Sequence, residues 1–432
     1  MQPYEYQFPE KIAFRAKEAT EPEFYIQSRE DWFKSLWVDF SSVRSQTQFD
    51  AMKFDLGMVD NKLEYYPNEF VKIIFSGHRG CGKSVELKRF SSEINNPDAF
   101  FAILIDLEKE TNVEQLEPED IFVVLVTMLA KELELREVDI DHDSFADIAE
   151  EWLQEKDVVK EVSKEFGVAG EVKATIGWNF WKFLGVEGNL KGAFARNNVT
   201  TNTIRQKIKT NPKPLIQKFN VALIGVRRLL REQNKGKDII FIIDGLEKAN
   251  AAVYESLFVK DVQMITGIDT HVISTVPIGT YYEILHLPTH DFFREHLLPM
   301  IRINDDSTPL LREVIERRAD KSLFSEGVLD HFVQASGGCP RILLKLVNRS
   351  LVKARGNLVT MDIAKDAMAE EGNNRWRTLN TSHKEVLRSG KFDNADKEVL
   401  ELLQSLNLLE YNGKKIDRQI NPLIRPFLQD QS

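Results

Sequence analysis

The sequence predicts an α/β chain: a parallel sheet flanked by helices, followed by a helical lid segment and a small helix-helix-hairpin unit. Three observations predict it. Gly77-His78-Arg79-Gly80-Cys81-Gly82-Lys83-Ser84 reads G-x-x-x-x-G-K-S and sits between an apolar, β-branched run and a stretch with helical spacing. A second apolar run, 239–243, ends in Asp244. After Pro299 the character of the chain becomes helical. Strands that alternate with helices build parallel sheets, which bind ligands at the carboxyl ends of their strands.

Residues 1–65 read as a helical lead-in, aromatic-rich from 32 to 40. The core is expected over 66–300. Val71-Lys72-Ile73-Ile74-Phe75-Ser76 is the run a buried parallel strand needs. The glycine motif follows, and Val85-Glu86-Leu87-Lys88-Arg89-Phe90 continues as a helix. Glycines let successive backbone N–H groups turn toward phosphate oxygens without a Cβ in the way. The helix N-terminus adds its orphan N–H groups and positive dipole end. The strand-to-helix loop is therefore a P-loop, a cradle for a nucleoside triphosphate. All of Gly77, His78, Arg79, Gly80, Cys81, Gly82, Lys83 and Ser84 are assigned to it, with Lys83 reaching the β- and γ-phosphates and Ser84 offering a Mg²⁺ ligand. The side chain of His78 is expected to face solvent. Cys81 is expected to be a small tolerated residue rather than a redox sensor.

A second buried strand is predicted at 100–106 and an apolar-periodic helix at 119–135. The span from Ser84 to Ile239 is long for such a core, so an insertion is placed at about 140–235. Within it, alternation of apolar and polar residues over 172–180 reads as a half-buried strand, with a weaker partner at 187–195. Trp178, Trp181 and Phe183 are either this hairpin's own packing or a partner surface. A basic helix is predicted at 203–231. The strand at 239–243 leads into Asp244-Gly245-Leu246-Glu247-Lys248, a Walker B arrangement. Asp244 suits the water shell of Mg²⁺, and Glu247 is placed to polarise an attacking water or, more plainly, to solvate a helix start. The fourth strand, 271–276, carries Ser274 and Thr275 near its end, as sensor groups or as ordinary strand-end hydroxyls. An extra strand between the P-loop and Walker B strands points to hydrolysis rather than to a kinase.

Helices are predicted at 309–320, 327–335, 341–354 and 361–370, a lid subdomain over 301–375. Ser336-Gly337-Gly338-Cys339-Pro340-Arg341 ends one helix on glycines and starts the next on Pro340, where a missing N–H is harmless. Over 376–432, helices at 382–388 and 396–406 precede a strand at 408–411, a type I′ turn at Asn412-Gly413 and a strand at 414–416. That order is a winged-helix pattern.

Composition sets the remaining limits. The chain has 432 residues, long enough for several cores. Its 42% hydrophobic and 29% charged content suits a globular protein. The first residues carry no signal-peptide pattern, the longest apolar run, 121–130, is too short to span a bilayer, and two cysteines suit a reducing cytoplasm. The expectation is a cytoplasmic protein with no membrane partner. The net charge of −10 is unevenly spread, with acids concentrated at 106–157 and bases at 182–235. The basic stretch is a possible nucleic-acid surface; head-to-tail association and two solvated faces stay equally open. No Asn-Lys-x-Asp guanine element, metal-type Cys/His spacing or Ser-His-Asp arrangement is evident. ATP is thus favoured over GTP, and a second enzymatic site is not expected.

Taken together, the loop at 77–84, the Asp244 and Glu247 spacing, the polar strand end, the G-x-P-R loop and the terminal unit resemble the STAND class of AAA+-related P-loop ATPases. The likeness extends from about 65 to 430, and the Asp-Gly-Leu-Glu spelling resembles its NACHT-like and prokaryotic members. Gly245 departs from the Asp-Glu pair of ordinary AAA+ motors. The resemblance implies ATP and Mg²⁺ as ligands and a sensor on Ser274 or Thr275. It also places Gly338, Pro340 and Arg341 near the base or γ-phosphate. It leaves the arginine finger open among Arg294, Arg302, Arg317 and Arg318. It further implies a nucleotide switch that self-assembles as a homo-oligomer or controls a separate effector protein, plausibly in prokaryotic defence or signalling. A second reading, similar to replication-origin initiators, is a DNA-binding ATPase. Against it, the would-be recognition helix carries Asp396, Glu398 and Glu401, leaving Lys414 and Lys415 of the wing as its support. A third, a small-molecule or nucleotide kinase, lacks a compact lid and an acceptor pocket.

Overall fold

A computed structural model describes residues 6–22, 35–66, 69–139, 198–411 and 417–429. Its centre is a five-stranded parallel sheet: β1 (Lys72–Gly77), β2 (Phe100–Asp106), β3 (Asp238–Asp244), β4 (His271–Thr275) and β5 (Arg294–Leu298). The spatial order is β2-β3-β4-β1-β5. One strand therefore separates the P-loop strand from the Walker B strand, as the sequence indicates. Every residue of β1 and β3 is buried, which explains their unbroken Ile and Phe runs. β5 is an addition to the expected four. It is an edge strand with only Leu298 buried, and Arg294-Glu295-His296 gives it no apolar signal. His296 is held by Asp55 at 2.7 Å.

Helices cover both faces. On one lie α4 (Pro118–Leu135) and α6 (Pro212–Glu232), with Phe122, Leu125, Phe219 and Leu223 packed on the sheet. On the other lie α2 (Gln46–Asp55) and α3 (Lys83–Ile94), through Phe49 and Phe90. The single basic helix expected at 203–231 is two, α5 (Asn198–Thr210) and α6, broken at Asn211-Pro212 because proline has no N–H to continue the first helix. Arg205 of α5 pairs with Asp120 at 2.5 Å and Glu117 at 2.9 Å on α4. Part of the acidic-to-basic asymmetry is thus neutralised inside one chain. The hairpin expected at 172–195, with Trp178, Trp181 and Phe183, lies outside the described residues.

The helical segment comprises α8 (Ser307–Glu316), α9 (Val328–Ser336), α10 (Pro340–Ala354) and α11 (Met361–Arg377). α1 (Ala13–Ala19) packs on α10. The C-terminal unit has helices α12 (Thr381–Ser389) and α13 (Lys397–Gln404) and antiparallel strands β6 (Leu408–Tyr411) and β7 (Asp417–Ile420). The turn expected at Asn412-Gly413 and the strand expected at 414–416 lie outside the described residues. The described partner of β6 is β7, with Tyr411 opposite Asp417. The pairing follows Arg418, which is buried and bonds Glu410 at 2.7 Å, a polar register that an apolar pattern does not reveal. The unit's core, including Leu387, Leu402 and Leu408, also contains Ile278 and Tyr282 of α7 (Ile278–Leu285). The C-terminal unit is therefore packed onto the sheet body. No helix among the described residues is long and apolar enough to cross a membrane.

Candidate functional site

The loop at 77–84 joins β1 to α3, with Gly80 and Gly82 at φ +76° and +101°. Those angles suit glycine alone among common residues. A Cβ on Gly80 would also lie 2.4 Å from Cβ of Arg341, because α10 begins directly over the loop. The Arg341 backbone N–H donates to the Gly80 carbonyl at 3.3 Å. Pro340 and Arg341 thus stand against the phosphate loop although 260 residues separate them from it in sequence.

Lys83 is buried and donates to the carbonyls of Gly77 (3.0 Å) and His78 (3.2 Å). Its Nζ lies 3.7 Å from Glu247. Asp244 ends β3 beside Asp106 of β2, and the Ser84 hydroxyl near it favours its charged form. Burial first, and the Glu247 charge second, push the Asp244 carboxyl up to about 6. Its Oδ1 is buried without a hydrogen-bond partner among the described residues. An orphan carboxylate oxygen beside a serine hydroxyl fits a hard cation. Among the described residues no cluster of three His, Cys, Asp or Glu could hold a metal alone. A Mg²⁺ shared with phosphates needs only one or two carboxylates.

Glu247 is held from two sides. Thr275 Oγ1 donates to its Oε2 at 2.6 Å, and the same hydroxyl accepts the N–H groups of Gly245 (3.1 Å) and Leu246 (3.2 Å). Burial works against the charge on Glu247. Lys83 and then the Thr275 hydroxyl outweigh it and hold the carboxyl below its ordinary value. Of the two hydroxyls left open by the sequence, Thr275 contacts Glu247. Ser274 Oγ is buried without a partner among the described residues.

Two mouths flank the loop. One is lined by Leu36, Trp37, Val38 and Phe40 ahead of α2, and by Val314, Arg318, Pro340, Arg341 and Leu344 of the helical segment. Trp37 Nε1 is buried there without a partner among the described residues. The other mouth is lined by Arg79, Lys83, Glu108, Glu247, Lys248 and, from α13, Gln404. Arg44, absent from the sequence-based set, supports the loop. Its buried guanidinium donates to the Cys81 carbonyl and to Glu86 at 3.2 Å. Nothing in its Ser-Ser-Val-Arg-Ser surroundings marks it. Among the arginine-finger candidates, Arg318 lines the first mouth, Arg302 pairs with Asp417 and Arg317 with Glu313 at 2.6 Å, while Arg294 is exposed on β5.

His78 departs from expectation. It is buried, not solvent-facing, and its ring leaves the loop for the C-terminal unit. Nδ1 lies 3.0 Å from the Leu403 carbonyl, and Nε2 accepts the Glu410 N–H at 2.8 Å. That pair of partners fixes the neutral tautomer with the proton on Nδ1. Burial pushes its pKa down to about 3.

No family model and no curated protein matches the chain. Solved structures do. Cdc6p from Pyrobaculum aerophilum aligns at 12% identity over 94% of this chain and 99% of its own, with a TM-score of 0.40. The RuvB Holliday junction branch migration motor of Thermotoga maritima aligns at 13% identity over 91% and 98%, at 0.38. The Orc1 protein of Aeropyrum pernix, solved in complex with DNA, aligns at 12% identity over 99% and 98%, also at 0.38. At such distances function has to be argued from the site itself.

Proposed function

We propose that the chain is an ATP-binding and ATP-hydrolysing switch of STAND type, slow and regulatory, that self-assembles or controls a partner effector. The observation that carries this reading is His78: a residue inside the phosphate loop whose ring bonds the C-terminal unit at two backbone atoms. Occupancy of the loop and position of that unit are then one mechanical problem. In this reading the N–H groups of the loop and Lys83 hold the triphosphate. Ser84 and Asp244 would hold Mg²⁺, which would supply charge neutralisation for the phosphates. Thr275 fixes Glu247, which accepts a proton from the attacking water. Trp37, Phe40 and Leu344 offer flat apolar surface for a base. The C-terminal unit acts as a winged-helix lid.

Two variants test it. Lys83→Ala is expected to abolish nucleotide binding measured by calorimetry. Glu247→Gln is expected to bind ATP but to hydrolyse it at least about a hundredfold more slowly. Hydrolysis at the normal rate by Glu247→Gln would remove Glu247 from the proposed role.

A second reading, an origin-initiator-like DNA-binding ATPase, draws on Lys209 and Lys213, exposed on α5 and at the start of α6. It is opposed by α13, the would-be recognition helix. That helix packs against α7 and supplies the carbonyl that meets His78, so it faces the ATPase body. Salt-sensitive DNA binding lost in a Lys209→Glu/Lys213→Glu variant would favour this second reading; no binding at low salt would end it.

A further inference from the structure

We propose that the cleft between α9, α11 and the C-terminal unit is a second ligand site, for a small organic anion with a flat apolar body. The proposal goes beyond the nucleotide switch and does not depend on hydrolysis. The cleft has a volume of about 730 Å³, within the range of small-molecule sites. Arg302, Lys365 and Arg425 line it, and among the described residues no aspartate or glutamate does. Arg302 is paired with Asp417, so Lys365 and Arg425 supply the unneutralised positive potential. The floor is apolar, with Met368, Pro422 and Phe427, and the Phe427 ring is stacked 5.9 Å from Trp376. Cationic edge over aromatic floor is complementary to an aromatic phosphate, sulfonate or carboxylate.

Position gives the site a consequence. Tyr411 lines the cleft and donates its hydroxyl to the Gly337 carbonyl at 2.8 Å. One step along β6, the Glu410 N–H bonds His78 of the phosphate loop. From Gly337 the chain runs four residues to Arg341, whose N–H bonds Gly80. A ligand in the cleft therefore touches Tyr411 and Gly337, which lead along the chain to two of the contacts made on the loop at 77–84. It is placed to bias them, as an input signal would.

The test uses the full chain and 8-anilinonaphthalene-1-sulfonate as probe, read by fluorescence titration. One saturable site per chain is expected. The double variant Lys365→Glu/Arg425→Glu should weaken it at least about tenfold, with Lys365→Glu alone intermediate and both melting as wild type does. Lys83→Ala should bind the probe normally, which keeps this site separate from the nucleotide reading. Nitrophenyl phosphate and nitrobenzoate should displace the probe, and whichever competes better identifies the head group. Inorganic phosphate alone should need roughly tenfold more. Equal binding by wild type and the charge-reversed variants, or no saturable binding, overturns the proposal. So does tighter capture of an acidic aromatic peptide, which would assign the cleft to a protein partner.

Discussion

At the scale of single residues, the site turns on side chains whose work is to position others. Thr275 is the clearest. Its hydroxyl accepts two backbone N–H groups and donates its proton to Glu247, so the carboxylate cannot rotate without breaking a bond. Thr275→Val keeps the shape and removes all three contacts. We expect nucleotide affinity within about twofold of wild type and hydrolysis slower by roughly one to two orders of magnitude, with Thr275→Ser restoring most of it. An unchanged turnover in Thr275→Val would separate Glu247 orientation from catalysis. His78 makes a different kind of statement. Its folded pKa, near 3, lies below the ordinary imidazole value, so the unfolded chain takes up a proton that the folded chain refuses. Stability from this group is complete above about pH 6.5 and falls as pH drops toward 3. His78→Ala leaves the buried Glu410 N–H without its acceptor, a cost of about 1–3 kcal/mol. Denaturant unfolding at pH 7 and pH 5 should therefore show a destabilised variant with a shallower acid dependence.

At the scale of elements, the strands that the sequence reveals are those buried on both faces, and the ones it hides are polar and marginal. β1 and β3 are legible because burial demands consecutive Ile and Phe. β5 is hidden because an edge strand tolerates Arg294 and Glu295, and β7 because its register depends on a buried Arg418–Glu410 pair rather than on apolar alternation. The loop at 77–84, Asp244 and Glu247 stand out in the sequence by their spacing, and the structure brings Lys83 within 3.7 Å of Glu247. Arg44, Trp37 and Gln404 do not stand out, because they reach the site only through tertiary packing. One element also makes a pH prediction. Lys72 enters β1 with its ammonium buried, donating to the carbonyls of Ile268 and Thr270, and burial pushes its pKa down to about 7. The unfolded chain therefore binds an extra proton between about pH 7 and 10, and stability contributed here rises with pH over that window. Replacing Lys72 by Met should flatten the dependence of the urea midpoint on pH between 7 and 9; an unaltered slope would assign it to other groups.

At the scale of the whole molecule, the question is how the loop at 77–84 could move the C-terminal unit. The geometry offers a short route. Lys83 donates to the carbonyls of Gly77 and His78, while the ring of that same His78 holds Leu403 and Glu410. If Lys83 turns to phosphate oxygens, the His78 carbonyl loses a donor and the backbone that aims the ring is free to shift. The ties that remain include Met300 N–H to the Glu410 carbonyl at 2.9 Å, Tyr411 to Gly337, the Tyr282 hydroxyl to Glu410, Arg302 to Asp417 and the apolar contact through Ile278. Reversing a 99:1 preference takes about 5.5 kcal/mol of differential affinity, more than one clasp supplies, so release would have to be shared with the nucleotide's own contacts. Hydrogen exchange reads this directly. In wild type, a non-hydrolysable ATP analogue should speed exchange of the Glu410 amide. In His78→Ala that amide should exchange fast with or without the analogue, and in Lys83→Ala, which binds no analogue, its rate should not respond to it. Unchanged Glu410 protection in wild type saturated with the analogue would mean that the loop and the C-terminal unit are not coupled through His78. Mass measurement on the same samples completes the argument: the assembly reading requires the analogue to raise the oligomeric mass in wild type, and His78→Ala to need less of it.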